Sequence, residues 1–281
     1  MHSQRPDGQP VAEIVLVHGL EGSSDAGYAR SLSQAALEAG YAAHRFNMRS
    51  CGGTEHLSGN VLYHSGQTGD LLAVLREIKS QAPIFLAGFS LGGNVVLKLA
   101  GELGESAREL IAGVAAVSTP IDLAACARRL QARSNFIYSR RFLNRLRERV
   151  QLKERLNPGL FALDGLNHVK SVYQFDDRFT ALAFGFGTAD NYYATQSSNQ
   201  FLDRIRVPTL VVQAKDDPLI PFEVYSHPAF SNNPALRLLA VDHGGHLGFV
   251  SKSKPRFWLD DVLVQWMKGV RNKVPASSVL Q

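Results

Sequence analysis

The chain has 281 residues, 45% of them hydrophobic and 20% charged, and a formal net charge of +5, a balance that suits one large globular domain and argues against disorder. Its two cysteines, Cys51 and Cys126, form no CxxC pair and no Cys/His ligand spacing, so neither a disulfide framework nor a zinc site is expected and a reducing compartment fits. The polar start MHSQRPDGQP lacks an apolar signal core and no run of about 18 apolar residues occurs, so secretion and membrane spanning are disfavoured and the expected setting is cytoplasmic.

In chain order, strand-like runs alternate with helical ones. AEIVLVHG is an apolar run of strand length, ARSLSQAALEAG follows with helical spacing and a terminal Gly40, and YAAHRFNM is the next strand. TGDLLAVLREIKSQ places Leu71, Leu72, Leu75 and Ile78 on one helical face, and Pro83 opens the strand IFLAG. Leu91, Val95, Leu99 and Leu103 then recur every four residues, a helix packed against something. LIAGVAAVS reads as another buried strand.

From Pro120 to about Gln200 the alternation stops, and the composition turns to arginines and aromatics such as Phe136, Tyr138, Phe142, Phe161 and Phe175. This stretch reads as a mainly helical insertion. VPTLVVQAK and LRLLAVDHG resume the strands, and a closing helix runs from Pro255 with Trp258, Val262 and Trp266 along one side. The expected architecture is α/β, a mostly parallel sheet with helices on both faces. It divides into a first core part over 1–118, a helical cap insertion over 119–200 and a second core part over 201–281. The tail NKVPASSVLQ is expected to fray.

Arg128, Arg129, Arg133, Arg140, Arg141, Arg145, Arg147, Arg149, Lys153 and Arg155 crowd the insertion, opposed only by Glu148 and Glu154. Such a patch attracts a membrane surface, an anionic headgroup or nucleic acid. No nucleic-acid motif accompanies it, and a solvated helix face is the simpler reading.

Chemistry concentrates at Gly88-Phe89-Ser90-Leu91-Gly92, a GxSxG pentapeptide between a predicted strand and a predicted helix, the context of a nucleophile elbow. So tight a turn leaves no room for side chains at the flanking glycines. A serine hydroxyl needs a base, and the base needs an acid to orient it, here in the chain order Ser, acid, His. DHGGHLGF supplies His243 and His246 after the last strand, and His246, following the double glycine, is favoured. VVQAKDDPLIP offers Asp216 and Asp217, of which Asp217 is favoured, the other aspartate being a turn former that bonds its own backbone. The loop VHGLEG supplies the N–H of Leu20, which with the N–H of Leu91 would form an oxyanion hole, while His18 holds the loop.

On the segments HGLEGSS, NMRSCGGTEHLSGNVLYHSGQTGDL, GFSLGGNVVLKLAGE, VPTLVVQAKDDPLIP and GGHLGF, the chain resembles the YheT-like branch of α/β-hydrolases, bacterial relatives of the eukaryotic abhydrolase-domain lipases. The resemblance implies the α/β-hydrolase fold and a serine hydrolase of carboxylic esters, with Ser90, Asp217 and His246 as the matching triad, and the mechanism expected of these residues is acyl transfer through a covalent intermediate. The resemblance carries substrate identity over poorly. The YHSG motif, Tyr63 to Gly66, also matches without an assignable chemical step and reads as a structural loop, and Arg49 and Cys51 are expected to fix the loop after their strand.

Two departures stand out: Arg49-Ser50-Cys51 replaces an Arg-Gly-Cys, and only 17 residues precede His18. The first strands of the sheet are therefore expected to be missing, leaving an edge that must be covered or paired. The expected partners are a small-molecule ester or acyl lipid and an anionic membrane surface, without nucleic acid, metal or organic cofactor. Acyl transfer to another acceptor and thioester hydrolysis use the same triad, and a ligand-binding protein without catalysis is the reading from another class.

Overall fold

The computed structural model describes residues 1–59, 61–161 and 163–273. Most of the expected tail, from Val274 on, lies outside the described residues. Among them runs a seven-stranded sheet in the order β1-β3-β2-β4-β5-β6-β7. Its strands are β1 (His2–Gln4), β2 (Ala12–Val17), β3 (Tyr41–Phe46), β4 (Ile84–Phe89), β5 (Gly113–Val117), β6 (Thr209–Ala214) and β7 (Leu236–Val241). All neighbours are parallel except β1, which pairs antiparallel with β3 through His2–Arg45, Ser3–His44 and Gln4–Ala43.

The edge beside β3 is thus paired by a three-residue exposed strand, which the sequence pattern did not announce because HSQ carries no apolar signal. His44 fastens it, with Nδ1 2.8 Å from Ser3 Oγ and Nε2 2.7 Å from the buried Glu13 carboxylate on β2.

Helices cover both faces because alternate strand residues point to opposite sides. Val15, Val17 and Leu86 pack with Leu71 and Leu75 of α2 (Gly69–Glu77) and with Val95, Val96 and Leu99 of α3 (Leu91–Leu103). Ile14, Leu16 and Phe85 pack on the other face with Leu32 and Ala36 of α1 (Gly27–Glu38) and Leu259 and Leu263 of α10 (Trp258–Arg271). The closing helix begins at Trp258, later than Pro255, and its buried stripe is Leu259, Leu263, Val264, Met267 and Val270. Trp258, Val262 and Trp266 flank that stripe half-buried, one step round the helix from where their spacing suggested.

Between β5 and β6 lie α4 (Leu123–Leu130), α5 (Phe136–Leu156), α6 (Val172–Phe175), α7 (Ala181–Ala183) and α8 (Ala189–Gln196), and between β6 and β7 the short α9 (Ala229–Asn232). Asp122, Ser171 and Thr188 cap α4, α6 and α8 by accepting the backbone N–H three residues on. The long α5 buries Leu143, Leu146 and Val150. Its Lys153, fully buried, donates to the Glu55 and Gly59 carbonyls and so pins the loop after β3 to the insertion.

The tightest constraint lies where β4 meets α3. A Cβ on Gly88 would stand 2.3 Å from the Gly92 carbonyl oxygen, and one on Gly92 would stand 2.3 Å from that of Val17. Both obstacles are backbone, which cannot step aside. Gly92→Ala is therefore expected to cost about 3 kcal/mol or more, a fall of roughly 10 °C in Tm. Gly27→Ala, with no atom within 4 Å of its new Cβ, is expected to change Tm by only a degree or two, and thermal unfolding of both variants checks this.

Candidate active site

The turn between β4 and α3 puts Ser90 in a left-handed conformation, φ 51° and ψ −122°, a strained geometry for a residue with a side chain. It persists because both sides are fixed: Ser90 N–H donates to the Val117 carbonyl at 2.8 Å, and its own carbonyl accepts from Gly93 N–H at 2.8 Å. Ser90 Oγ lies 3.1 Å from His246 Nε2, and His246 Nδ1 lies 2.9 Å from Asp217 Oδ2. Residues separated by 156 and 29 positions thus form one hydrogen-bonded chain.

Asp217 sits on the turn after β6 with its side chain fully buried. Its Oδ1 accepts from the N–H groups of Leu219 and Ile220 at 2.9 and 3.2 Å, and its Oδ2 also accepts from Gln213 Nε2 at 3.2 Å. These donors offset the desolvation of a buried carboxylate and fix the plane in which it meets the imidazole. The neighbouring Asp216 does not bond its own turn, as its residue type suggested. Its Oδ1 accepts from Gly244 and Gly245 N–H at 2.9 and 2.8 Å, so it anchors the loop that carries His246. The N–H groups of Gly245 and Gly244 hold this carboxyl below its usual pKa. His243 is largely exposed beside Asp216 and lies outside the chain of contacts to Ser90.

The loop after β2 passes directly over the serine, so close that a Cβ on Gly19 would stand 3.0 Å from Ser90 Cβ. Neither the Leu20 nor the Leu91 N–H donates to a backbone acceptor among the described residues, and Leu91 opens α3, where the helix dipole favours negative charge. Buried His18 holds this loop from below: its Nδ1 lies 2.8 Å from the Gly19 carbonyl, and Met48 N–H donates to Nε2 at 3.2 Å. Those two bonds define a neutral imidazole protonated on Nδ1, and burial pushes its pKa down to about 4.

A second support comes from the insertion, and no pattern in the sequence marks it. Arg149 of α5 makes a forked ion pair with the buried Glu21 carboxylate, Nε to Oε1 at 2.8 Å and the terminal nitrogen to Oε2 at 2.8 Å. Glu21, adjacent to Leu20, has φ 54°. Tyr63 completes the lock by receiving Glu21 N–H at 2.7 Å and donating to Glu21 Oε1 at 2.9 Å, with the Arg149 guanidinium 5.4 Å from its ring centre. The YHSG motif thus acquires a physical role: Tyr63 ties down the loop, and Ser65 meets Tyr192 of α8 through its N–H and hydroxyl. Asn94, buried in α3, donates to the carbonyls of Ser65 and Gln196 and accepts from Ser198 N–H, joining the motif to the insertion. Arg49 holds Asp70 at the start of α2 with two 2.6 Å bonds, and Cys51 is buried nearby.

Two cavities meet at Ser90 and His246. One is apolar and runs under the insertion, walled by Leu62, Leu123, Leu130, Leu146, Val172 and Phe175. His64 lines it against Phe184, Phe186 and Tyr192, and burial lowers its pKa to about 4. Asp176 also faces this cavity, accepting from Tyr193 and Thr180 hydroxyls at 2.6 and 2.7 Å, and burial raises its pKa to about 6. The other cavity is open and cationic on one side, bordered by Tyr138, Arg141, Arg145 and Arg149. Among the described residues no group of three or more His, Cys, Asp or Glu side chains is placed to hold a metal ion.

The profile of the family described as alpha/beta hydrolase fold matches residues 13–253. YheT of Escherichia coli K12 is 32% identical over 273 residues, covering 94% of this chain and 79% of its own length. Mouse phospholipase ABHD3 is 30% identical over 263 residues, which cover 92% of this chain but only 63% of that relative. Among solved structures, Est1E of Butyrivibrio proteoclasticus with ferulic acid bound aligns with a TM-score of 0.61 over 97% of this chain and 95% of its own, at 16% identity, a likeness of fold. A mostly parallel sheet whose fourth strand ends in a glycine-flanked serine turn, with matches across nearly its whole length, places this chain in the α/β-hydrolase family, in its YheT-like branch.

Proposed function

We propose that the protein is a serine hydrolase that cleaves carboxylic esters through an acyl-enzyme intermediate. The observation that carries this reading is the hydrogen-bonded chain from Ser90 Oγ through His246 to Asp217, at 3.1 and 2.9 Å. His246 Nε2 takes the hydroxyl proton as Ser90 Oγ attacks the ester carbonyl, and Asp217 stabilises the imidazolium that forms. The Leu20 and Leu91 N–H groups receive the developing oxyanion. His246 returns the proton to the departing alcohol, then activates water to release the acid. The apolar cavity suits the acyl chain and the open one the alcohol, a division supported by their linings and by the phospholipase name of one relative. The mechanism needs no metal or organic cofactor.

Hydrolysis of a chain-length series of p-nitrophenyl esters tests this. Ser90→Ala is expected to lower kcat by about 10⁴-fold or more while leaving the fold intact. Equal activity of both proteins would sink the proposal.

Arg149 is a positioning residue in this reading, since it reaches the oxyanion only through Glu21 and Leu20. Arg149→Met is expected to lower kcat roughly 10- to 100-fold with KM little changed, and to destabilise the fold by about 3 kcal/mol because Glu21 is left buried and unpaired. Glu21→Gln combined with Arg149→Met should recover most of that stability without recovering kcat. Recovery of both would assign the pair a purely structural role.

His18 supplies a pH dependence of stability. Its folded pKa of about 4 lies below the ordinary 6.5, so the contribution is fully present above pH 6.5 and is lost as pH falls through about 4. The shift corresponds to about 3 kcal/mol. His18→Asn, which keeps a donor near Gly19 but cannot titrate, is expected to flatten the fall in unfolding free energy between pH 6.5 and 4, as read from urea titrations.

A further inference from the structure

We infer that the N-terminal end of α5 is a docking surface for an anionic lipid bilayer, placing the open cavity and Ser90 against the membrane. The inference deepens the ester-hydrolase reading and rests on it for the route by which a lipid ester reaches the serine.

Three consecutive large side chains begin this helix exposed: Phe136 is 62% exposed, Ile137 78% and Tyr138 42%. Single exposed apolar residues are ordinary, but a contiguous cluster marks an interaction site. Helical spacing explains the exposure of Ile137, which projects with Arg140, Arg141 and Asn144 opposite the packed face of Leu143, Leu146 and Val150, while Phe136, in line with Leu143, is exposed at the first residue of the helix.

Charge identifies the partner. Residues 128–147 contain Arg128, Arg129, Arg133, Arg140, Arg141, Arg145 and Arg147 and no Asp or Glu. Arg133, Arg140 and Arg141 are exposed and no carboxylate lies within 4 Å of them among the described residues. Exposed apolar side chains at the start of a helix that also carries guanidinium groups free of carboxylates match the acyl boundary and phosphate layer of an anionic leaflet, where the rings and Ile137 enter the interface and arginines reach the headgroups. A second copy of this chain on the same face would set those arginines against one another. The patch also continues into the site, since Tyr138 and Arg141 border the open cavity that ends at Ser90.

Co-sedimentation with vesicles tests the inference, comparing pure phosphatidylcholine with a mixture of phosphatidylcholine and phosphatidylglycerol at low and high salt. The wild-type protein is expected to bind the anionic vesicles at least tenfold more tightly, less so at high salt. Phe136→Ser with Ile137→Ser, and separately Arg133→Glu with Arg140→Glu, are each expected to weaken that binding about tenfold or more. Both pairs should hydrolyse a soluble short-chain ester at the wild-type rate, which shows that they are folded.

Equal binding to both vesicle types, or binding unchanged in both variant pairs, overturns the inference. So does a self-association or a protein complex that Ile137→Ser abolishes while vesicles remain unbound. A wild-type protein inert toward soluble esters yet bound to anionic vesicles would overturn the hydrolase reading and leave the docking surface standing.

Discussion

Everything at the site depends on the absence of two Cβ atoms. With glycine at 88 and 92, β4 and α3 close on each other and on the end of β2 until backbone meets backbone, and Ser90 between them adopts the left-handed conformation. That geometry aims the hydroxyl away from the sheet and puts the Leu91 N–H beside it. The same closeness brings Gly19 onto Ser90, so the loop bearing Leu20 is positioned by the turn it serves. Local strain at one serine is thereby held in place by the packing of three strands and a helix.

The insertion is more than a cover. Its Arg149 reaches the buried Glu21, its Lys153 the carbonyls of the loop after β3, and its Tyr192 the YHSG segment. Each of these bonds crosses from the insertion to a loop at the active edge of the sheet, so any displacement of α5 would be felt at the Leu20 N–H. A buried ion pair adds little net stability against a well-packed apolar alternative, but losing one partner is costly. Such a pair fixes geometry more effectively than it stabilises the fold. The arrangement couples whatever touches the outer face of α5 to the loop that carries Leu20.

Much of this was legible in the sequence, for reasons particular residues make plain. Parallel strands buried on both faces leave continuous apolar runs, and AEIVLV, IFLAG and TLVVQA mark β2, β4 and β6 without help from their neighbours. The GxSxG turn was readable because its constraint is local, lying within five residues. What escaped notice was non-local or carried no pattern. The pairing of Arg149 with Glu21 spans 128 positions, and among so many arginines nothing marked the one that turns inward to a buried carboxylate. Strand β1 is too short and polar to announce itself. Asp216 has the residue type of a turn former that bonds its own backbone, yet its carboxylate accepts two N–H groups of the His246 loop. The tryptophans of α10 misled in a milder way, since a large ring can lie half-buried beside the stripe that a leucine fills.

In the proposed mechanism Ser90 is the nucleophile and becomes acylated. Its most direct test is intact-protein and peptide mass spectrometry after brief exposure to an activated fluorophosphonate and, separately, to a rapidly quenched p-nitrophenyl ester. One adduct per chain is expected, confined to the peptide that contains Ser90, and none in a His246→Ala variant under the same conditions. An unlabelled protein, or an adduct on any other residue, would contradict it.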